Sequence, residues 1–199
     1  MVNLERSFVK PDIDEGPFLE YDRVMTNEML EKVRGDLAEF RLPRYKEITD
    51  VGLYLEQTVK LVNTALSPLG EPSLTTSMVS NYVKQKLLAN PIKKQYYVDH
   101  IATVFIIAVL KMAVALDDIR PALEELQGRG DMRAAYDAFC SEFEGWLAAV
   151  FFGAAEPEGE SELLPVMLPA VTRKIYLDRY LTVYKKIIPQ FDIANKKNS

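Results

Sequence analysis

The chain has 199 residues, enough for one helical domain or two small ones, and its 48% apolar content can build a buried core. The formal net charge of −5 argues against a protein that coats nucleic acid generally, so any contact with DNA must come from a local basic patch. The one cysteine, Cys140, excludes an internal disulfide framework and favours a reducing, cytoplasmic location.

Neither the N-terminal residues nor the most apolar stretch of the chain indicates a secretory or membrane protein. Residues 1–25 lack the basic-then-apolar pattern of a signal peptide, and we expect them to form an extended or partly ordered arm. The most apolar run, Ile101–Leu116, is interrupted by Thr103 and Lys111 and is shorter than a membrane span. It predicts a buried helix, and no membrane partner is expected.

Apolar residues at helical spacing predict a chain that is helical almost throughout. No stretch shows the sustained alternation of a strand, so the fold class is all-α, apart from a two-stranded wing around a basic turn at residues 89–96. The predicted helices cover Asn27–Phe40 (capped by Thr26), Ile48–Leu66, Thr76–Leu88, Val98–Ala115, a stretch from Leu116, Met132–Val150, and a last helix that Pro189 ends.

The stretch around the third predicted helix differs in charge from the rest of the chain. Between Thr75 and Tyr96 there are four lysines and no acidic residue. Val79 and Tyr82 lie on one side of this helix, whereas short polar and cationic residues lie on the other. Such groups can hydrogen-bond base edges and phosphates. The alternative is an ordinary solvated face, although such faces usually include acids.

The segment from Met78 to Leu123 resembles the DNA-binding head of MerR-type regulators. In that family a recognition helix leads through a proline-containing wing to a tyrosine and a further helix, and a Leu-x-x-Ile turn opens the next one. Pro91 and Tyr96 match the wing, and Leu116 with Ile119 matches that turn. Three positions depart from the pattern: the glycine after the recognition helix is Lys86, the glycine before the Leu-x-x-Ile turn is Val114, and the usual arginine of the recognition helix is Ser80.

A longer pattern, from Arg44-Tyr45 through Leu53-Tyr54 to Leu110-Lys111, resembles more closely the bacterial family called domain of unknown function 1836. Its members are thought to be MerR-like regulators of transcription. This resemblance covers Pro43–Leu126. It implies a MerR-like winged helix-turn-helix over residues 43–128, preceded by a helical extension (1–42) and followed by a C-terminal helical hairpin for oligomerisation or sensing (129–199).

The resemblance also implies roles for particular residues and partners. The partners would be double-stranded DNA, a second copy of the chain in a homodimer, and a small-molecule effector. The aromatic residues of the C-terminal region have two interpretations, as core or as contacts to a second chain or an effector. The implied base-facing residues are Thr76, Ser77, Ser80 and Asn81; the phosphate contacts are Lys84, Lys93 and Lys94; Tyr96 braces the wing; and the candidate dimer or effector contacts are Trp146, Tyr176 and Tyr180.

Residues that could carry chemistry are few. The one histidine, His100, is predicted to be partly buried or to cap a helix, and Cys140 to be a small core residue. No converging set of metal ligands and no glycine-rich phosphate loop is visible, so we expect no cofactor and no enzymatic activity. The main alternative to a DNA-binding regulator is a protein-interaction module on the same scaffold that has lost DNA binding.

Overall fold

The computed structural model describes residues 27–70, 74–128 and 130–197, with side chains throughout except at residue 36 and from residue 188 onward. Within these ranges the chain is helical, which confirms the all-α prediction, and β structure is limited to two isolated antiparallel bridges. The helices are α1 (residues 27–34), α2 (Leu55–Leu66), α3 (Thr76–Lys84), α4 (Val98–Leu110), α5 (Leu116–Gly128), α6 (Met132–Phe152) and α7 (Leu164–Lys197), with 3-10 turns at Gly35–Glu39, Tyr45–Glu47 and Ser67–Leu69.

Helix α4 is the centre of the core. Ten of its 13 residues are buried, and it packs against α2, α5, α6 and α7. A helix that is apolar around its whole circumference must be covered on every side. The apolar run that is too short to cross a membrane therefore forms the central helix of the core. None of the helices in the described ranges combines the length and apolarity that a bilayer crossing requires.

Two helices begin with a side chain that reaches back to the preceding backbone. Gln57 Oε1 accepts from the Tyr54 N–H at 2.9 Å, and His100 Nδ1 accepts from the Tyr97 N–H at 3.2 Å. Each contact pairs an N–H that the helix itself leaves free. The other ring nitrogen of His100 lies 3.1 Å from the Asn90 carbonyl, so the ring also ties the basic turn to α4. The prediction of a buried, capping histidine is confirmed.

The second helix was predicted too long at its start. It begins at Leu55 and not at Ile48, because Leu53 pairs in extended conformation with Tyr96 through two hydrogen bonds of 2.9 and 2.8 Å. Val51 and Tyr54 have helical spacing with the apolar residues of α2 but are 66% and 54% exposed. The helical spacing of apolar residues continues through residues 48–54, but the pairing of Leu53 with Tyr96 holds this segment in an extended conformation.

The third and fourth helices end earlier than predicted. Helix α3 stops at Lys84 and not at Leu88, and Leu87 and Leu88 turn back into the core. Helix α4 stops at Leu110 and not at Ala115, where a turn reverses the chain before α5. Leu87 and Leu88 are buried by the turn that follows α3, and Met112 and Val114 are half-buried after α4, so apolar spacing gave no indication of where either helix ends.

The first and last helices also differ from the prediction. Helix α1 gives way to a 3-10 turn at Gly35, whose φ of +50° breaks the α conformation. Helix α7 continues through Pro189 to Lys197, so the prediction that this proline ends the helix is wrong. A proline weakens the interior of a helix, by the loss of one N–H and by crowding of an earlier carbonyl, but does not always end it. The predicted cap at Thr26 and the predicted arm at residues 1–25 lie outside the described residues.

The segment before α2 is fastened to α6. The Arg44 guanidinium donates two hydrogen bonds to Glu144, at 2.8 and 2.6 Å, and the Leu42 N–H donates to the same carboxylate at 2.8 Å. Nearby, the Tyr136 hydroxyl donates to the Pro43 carbonyl at 2.9 Å. One continuous hydrophobic cluster accordingly contains residues from before, within and after residues 43–128.

Cys140 lies on α6, at its contact with the segment before α2. Its side chain is fully buried and makes no disulfide, which confirms that it is a small core residue. Burial raises the pKa of its thiol to about 12, so the group stays protonated and unreactive at neutral pH.

Candidate nucleic-acid interface

Helix α3 is held by its cap and by one apolar face. The Thr75 hydroxyl accepts from the Met78 N–H at 3.2 Å and so pairs one of the N–H groups that the first turn leaves free. Val79 and Tyr82 are 0% and 1% exposed and fix the helix against the core. The first turn carries no acidic residue, so the positive end of the helix dipole is not neutralised within the helix.

The other face of α3 is open to solvent. Ser77, Asn81 and Lys84 are all exposed, and their spacing of four and three residues places them in one stripe along the helix. Thr76 and Ser80 are half-buried beside that stripe. No described part of the chain covers these side chains, so a large partner can reach their hydroxyl, amide and ammonium groups.

A lysine occupies the left-handed position that ends α3. Lys86 has a φ of +58°, and its N–H donates to the Val83 carbonyl at 3.0 Å while the Leu87 N–H donates to the Tyr82 carbonyl at 3.0 Å. These two bonds form a Schellman motif, in which glycine is the usual residue. The turn therefore closes as it would with glycine, at the steric cost of a side chain in the left-handed region.

Replacing this lysine by glycine should stabilise the fold. We expect Lys86→Gly to raise the free energy of unfolding by about 1 kcal/mol, because it removes the left-handed strain. Urea denaturation measures the change, with Lys84→Gly as the control, which should lose about 1 kcal/mol inside the helix. A destabilised Lys86→Gly variant would contradict the conformation of this turn.

The basic turn is a tight β-hairpin. Ile92 and Gln95 exchange both backbone hydrogen bonds, at 3.0 and 2.9 Å, and the two residues between them are Lys93 and Lys94. Their φ values of +51° and +66° identify a type I′ turn, for which Asn-Gly is the favoured pair. Both lysine side chains are exposed at the tip.

The hairpin is braced on the segment before α2. Tyr96 pairs with Leu53, is 4% exposed and meets the His100 ring edge-on at 5.8 Å between centroids. Burial raises the pKa of the Tyr96 hydroxyl. Gly52 allows the close approach, since a Cβ there would lie 2.9 Å from both Gln95 Cβ and the ring of a neighbouring tyrosine. Nothing in the sequence indicated this role for Gly52.

The lysines of this region are free of internal ion pairs. Lys84, Lys86, Lys93 and Lys94 are exposed, and none forms a salt bridge with any residue that the structure describes. Across the described ranges, the non-glycine residues with positive φ are Lys86, Lys93 and Lys94. The surface thus combines unpaired positive charge with backbone positions that lysine occupies at a cost.

Arg120 supports this surface from α5. Its guanidinium donates to the Gln85 carbonyl at 2.9 Å, at the end of α3 where carbonyls lack partners in the helix. The contact joins residues 35 positions apart, so no local sequence signal could have identified it.

The C-terminal candidates lie elsewhere in the molecule. Trp146 is 5% exposed in the core, whereas Tyr176 and Tyr180 are half-buried on α7, with ring centroids 6.1 Å apart. Leu177 and Leu181, on the same helix, are 49% and 39% exposed. The structure therefore separates the tryptophan from the two tyrosines in burial, and α7 carries apolar side chains that no described residue covers.

No group of three or more metal-ligating side chains occurs among the described residues. His100 caps α4, and Cys140 is buried in the core. What the exposed surface offers is hydrogen-bonding groups and cations on α3 and the hairpin.

Residues 43–139 match the family model described as Domain of unknown function (DUF1836). The match covers just under half of the chain and supports the resemblance inferred from the pattern that begins at Arg44. It extends into α6, beyond Leu126, where the DUF1836 resemblance was expected to end. Tyr136 and Asp137 in this extension bond to the backbone of Pro43 and Tyr45, so the two ends of the match are in contact. No curated protein and no solved structure matches the chain.

Proposed function

We propose that the protein is a cytoplasmic, DNA-binding regulator of transcription built on a MerR-like winged helix-turn-helix. Helices α2 and α3 form the helix-turn-helix, α3 enters the major groove, and the hairpin of residues 89–96 is the wing that contacts phosphates. The protein acts by binding and carries out no catalysis. An exposed polar stripe on α3 and four unpaired lysines nearby support this proposal.

The type I′ turn of Lys93 and Lys94 is the observation that carries the proposal. Two lysines at left-handed positions cost of the order of 1–2 kcal/mol each relative to glycine, and neither makes an ion pair with a described residue that would offset the cost. Strained residues that persist in a fold concentrate at functional sites. At the tip of a hairpin beside α3, two ammonium groups suit the phosphates that flank a major groove.

The different roles proposed for Asn81, which contacts bases, and Lys84, which contacts phosphates, lead to a specific prediction. Asn81→Ala should relax sequence preference, since an asparagine amide can bond an adenine edge in two places and each such pair contributes about 1–3 kcal/mol of discrimination. Binding sites selected from random DNA give the specific duplex, and affinity for it is compared with that for scrambled DNA. An equal loss on both duplexes would contradict base reading by Asn81, whereas Lys84→Ala should weaken both alike.

A homodimer would present two such heads to two half-sites. Helix α7 supports this part of the proposal, because Leu177, Leu181 and Tyr184 are exposed at spacings of four and three residues along one stripe. Tyr184 also continues the ring contacts of Tyr176 and Tyr180, at 6.3 Å from the latter. Sedimentation of the chain with and without Leu181→Glu tests it: the variant should be monomeric, and an unchanged mass would remove α7 as the interface.

An interaction module without DNA is the second candidate, and one observation favours it. Val51, Tyr54 and Ile92 are 66%, 54% and 56% exposed around the base of the hairpin. Exposed apolar groups of this size are more typical of a protein interface than of a surface that meets phosphates. If no duplex is selected from random DNA while Tyr54→Ala abolishes capture of a partner protein, this candidate replaces the regulator.

A further inference from the structure

A groove of about 1000 Å³ lies under helix α3, on the side away from its exposed stripe. Its walls come from four parts of the chain: α1, the stretch from α2 to α3, the end of α4, and α7. Its apolar lining includes Leu66, Met78, Met112 and Ile175, and charged side chains of α1, α4 and α7 also line it. The volume is at the upper end of the range found for sites that bind small organic molecules.

Two side chains that line this groove each carry a buried polar atom without a hydrogen-bond partner among the described residues. Tyr82 is 1% exposed, yet its hydroxyl bonds to none of those residues. Asn63 also lines it; its amide nitrogen donates to the Leu74 carbonyl at 2.9 Å, which fixes the amide so that Oδ1 is the unpaired end. Unpaired buried groups of this kind are rare in folded proteins, and each calls for a complementary group.

The charge at the rim is positive. Lys32 and Lys174 line the groove but pair with Glu28 and Asp178 on their own helices. Lys111, at the end of α4, is exposed, lines the same groove and forms no ion pair with a described residue. The unpaired ammonium group therefore favours a ligand with an anionic end.

We propose that this groove binds a small amphipathic acid that carries an amide or hydroxyl group between an apolar body and a carboxylate. The ligand carbonyl or hydroxyl oxygen accepts from the Tyr82 hydroxyl, and its N–H or O–H donates to Asn63 Oδ1. The carboxylate pairs with Lys111, and the apolar body packs on Met78 and Ile175. The Tyr176 and Tyr180 side chains are not part of this site, because the residues of α7 that line the groove are on a neighbouring face.

Calorimetric titration of the full chain, without DNA, tests the ligand chemistry. The probe is N-octanoylglycine, which has the tail, the amide and the carboxylate; decanoate lacks the amide, and N-octanoylglycinamide lacks the charge. We expect each of the two analogues to bind about tenfold more weakly than the probe, the effect of one lost hydrogen bond or ion pair. Absence of probe binding, or equal binding of decanoate, would overturn the proposal.

Variants of the chain locate the site. Tyr82→Phe removes a hydroxyl that has no partner in the free protein, so its melting temperature should be unchanged or higher while probe affinity falls about tenfold. Lys111→Gln should remove the preference for the acid over the amide. Tyr176→Phe is the matched control on the other face of α7 and should bind normally. A loss for Tyr176→Phe, or none for Tyr82→Phe, would overturn the assignment, and neither result depends on DNA binding.

Discussion

Replacing Lys93-Lys94 by Asn-Gly should make the protein more stable and its binding to DNA much weaker. Asn-Gly is the favoured pair for a type I′ turn, so we expect the free energy of unfolding to rise by about 1–2 kcal/mol. Removing two phosphate contacts should cost about 2 kcal/mol of binding, roughly thirtyfold, on every duplex. Urea denaturation measures the first change, and a fluorescence binding assay measures the second.

The salt dependence of binding distinguishes this effect from a general loss of charge. The slope of log affinity against log salt should fall by about 1.8, and it should fall at least as far when both lysines are changed to glutamate. Lys185→Gln/Lys186→Gln removes the same charge from exposed positions on α7 and should leave the slope unchanged. An Asn-Gly variant that keeps the parental slope would exclude the hairpin as a DNA contact.

Glu144→Ala should produce the largest loss of stability among the polar substitutions. It leaves the Arg44 guanidinium and the Leu42 N–H without their partner, and the pair is only 27% and 19% exposed. An arginine guanidinium stays protonated in proteins, so Arg44 keeps its charge after the partner carboxylate is removed. We expect a decrease of about 3 kcal/mol in the free energy of unfolding, measured in urea.

Two further variants test why Glu144→Ala lowers the free energy of unfolding. Glu47→Ala removes an exposed ion pair with Arg41 and the hydrogen bond that the carboxylate accepts from the Arg44 N–H, and it should cost about 1 kcal/mol. Arg44→Met together with Glu144→Ala should recover part of the loss, because no charge is then left buried and unpaired. A Glu144→Ala variant as stable as Glu47→Ala would mean that the segment before α2 is not fastened to α6.

The limits of sequence reasoning appear most clearly at helix ends. Asp131 and Gly153 bound α6 as the amino-acid preferences for caps predict, and α6 was predicted almost to the residue. At α3 the same reasoning failed, since the end is marked by a lysine in the position where glycine is usual. Amino-acid preferences identify the residue with the lowest conformational energy in a turn, which here is glycine. They do not exclude a lysine, which occupies the same position at a higher conformational energy.

The sequence predicted which residues form the surface of the candidate site but not the long-range contacts that hold them in place. The polar stripe of α3 and the lysines of residues 89–96 were visible as a charge imbalance and a helical period. The pairing of Leu53 with Tyr96 and the support of Gln85 by Arg120 were not, because they join residues 43 and 35 positions apart, respectively. The groove under α3 was also invisible, since four separate segments of the chain enclose it.

The sequence alone determined that this protein is helical, that α4 is buried on all sides, and that one short region is basic. Periodicity and local composition carry that information, because neighbours along a helix are neighbours in space. The tertiary structure decided where helices end, which apolar residues stay exposed beside the hairpin, and which buried polar atoms lack partners. Those properties depend on which distant segments meet, and no local pattern records such contacts.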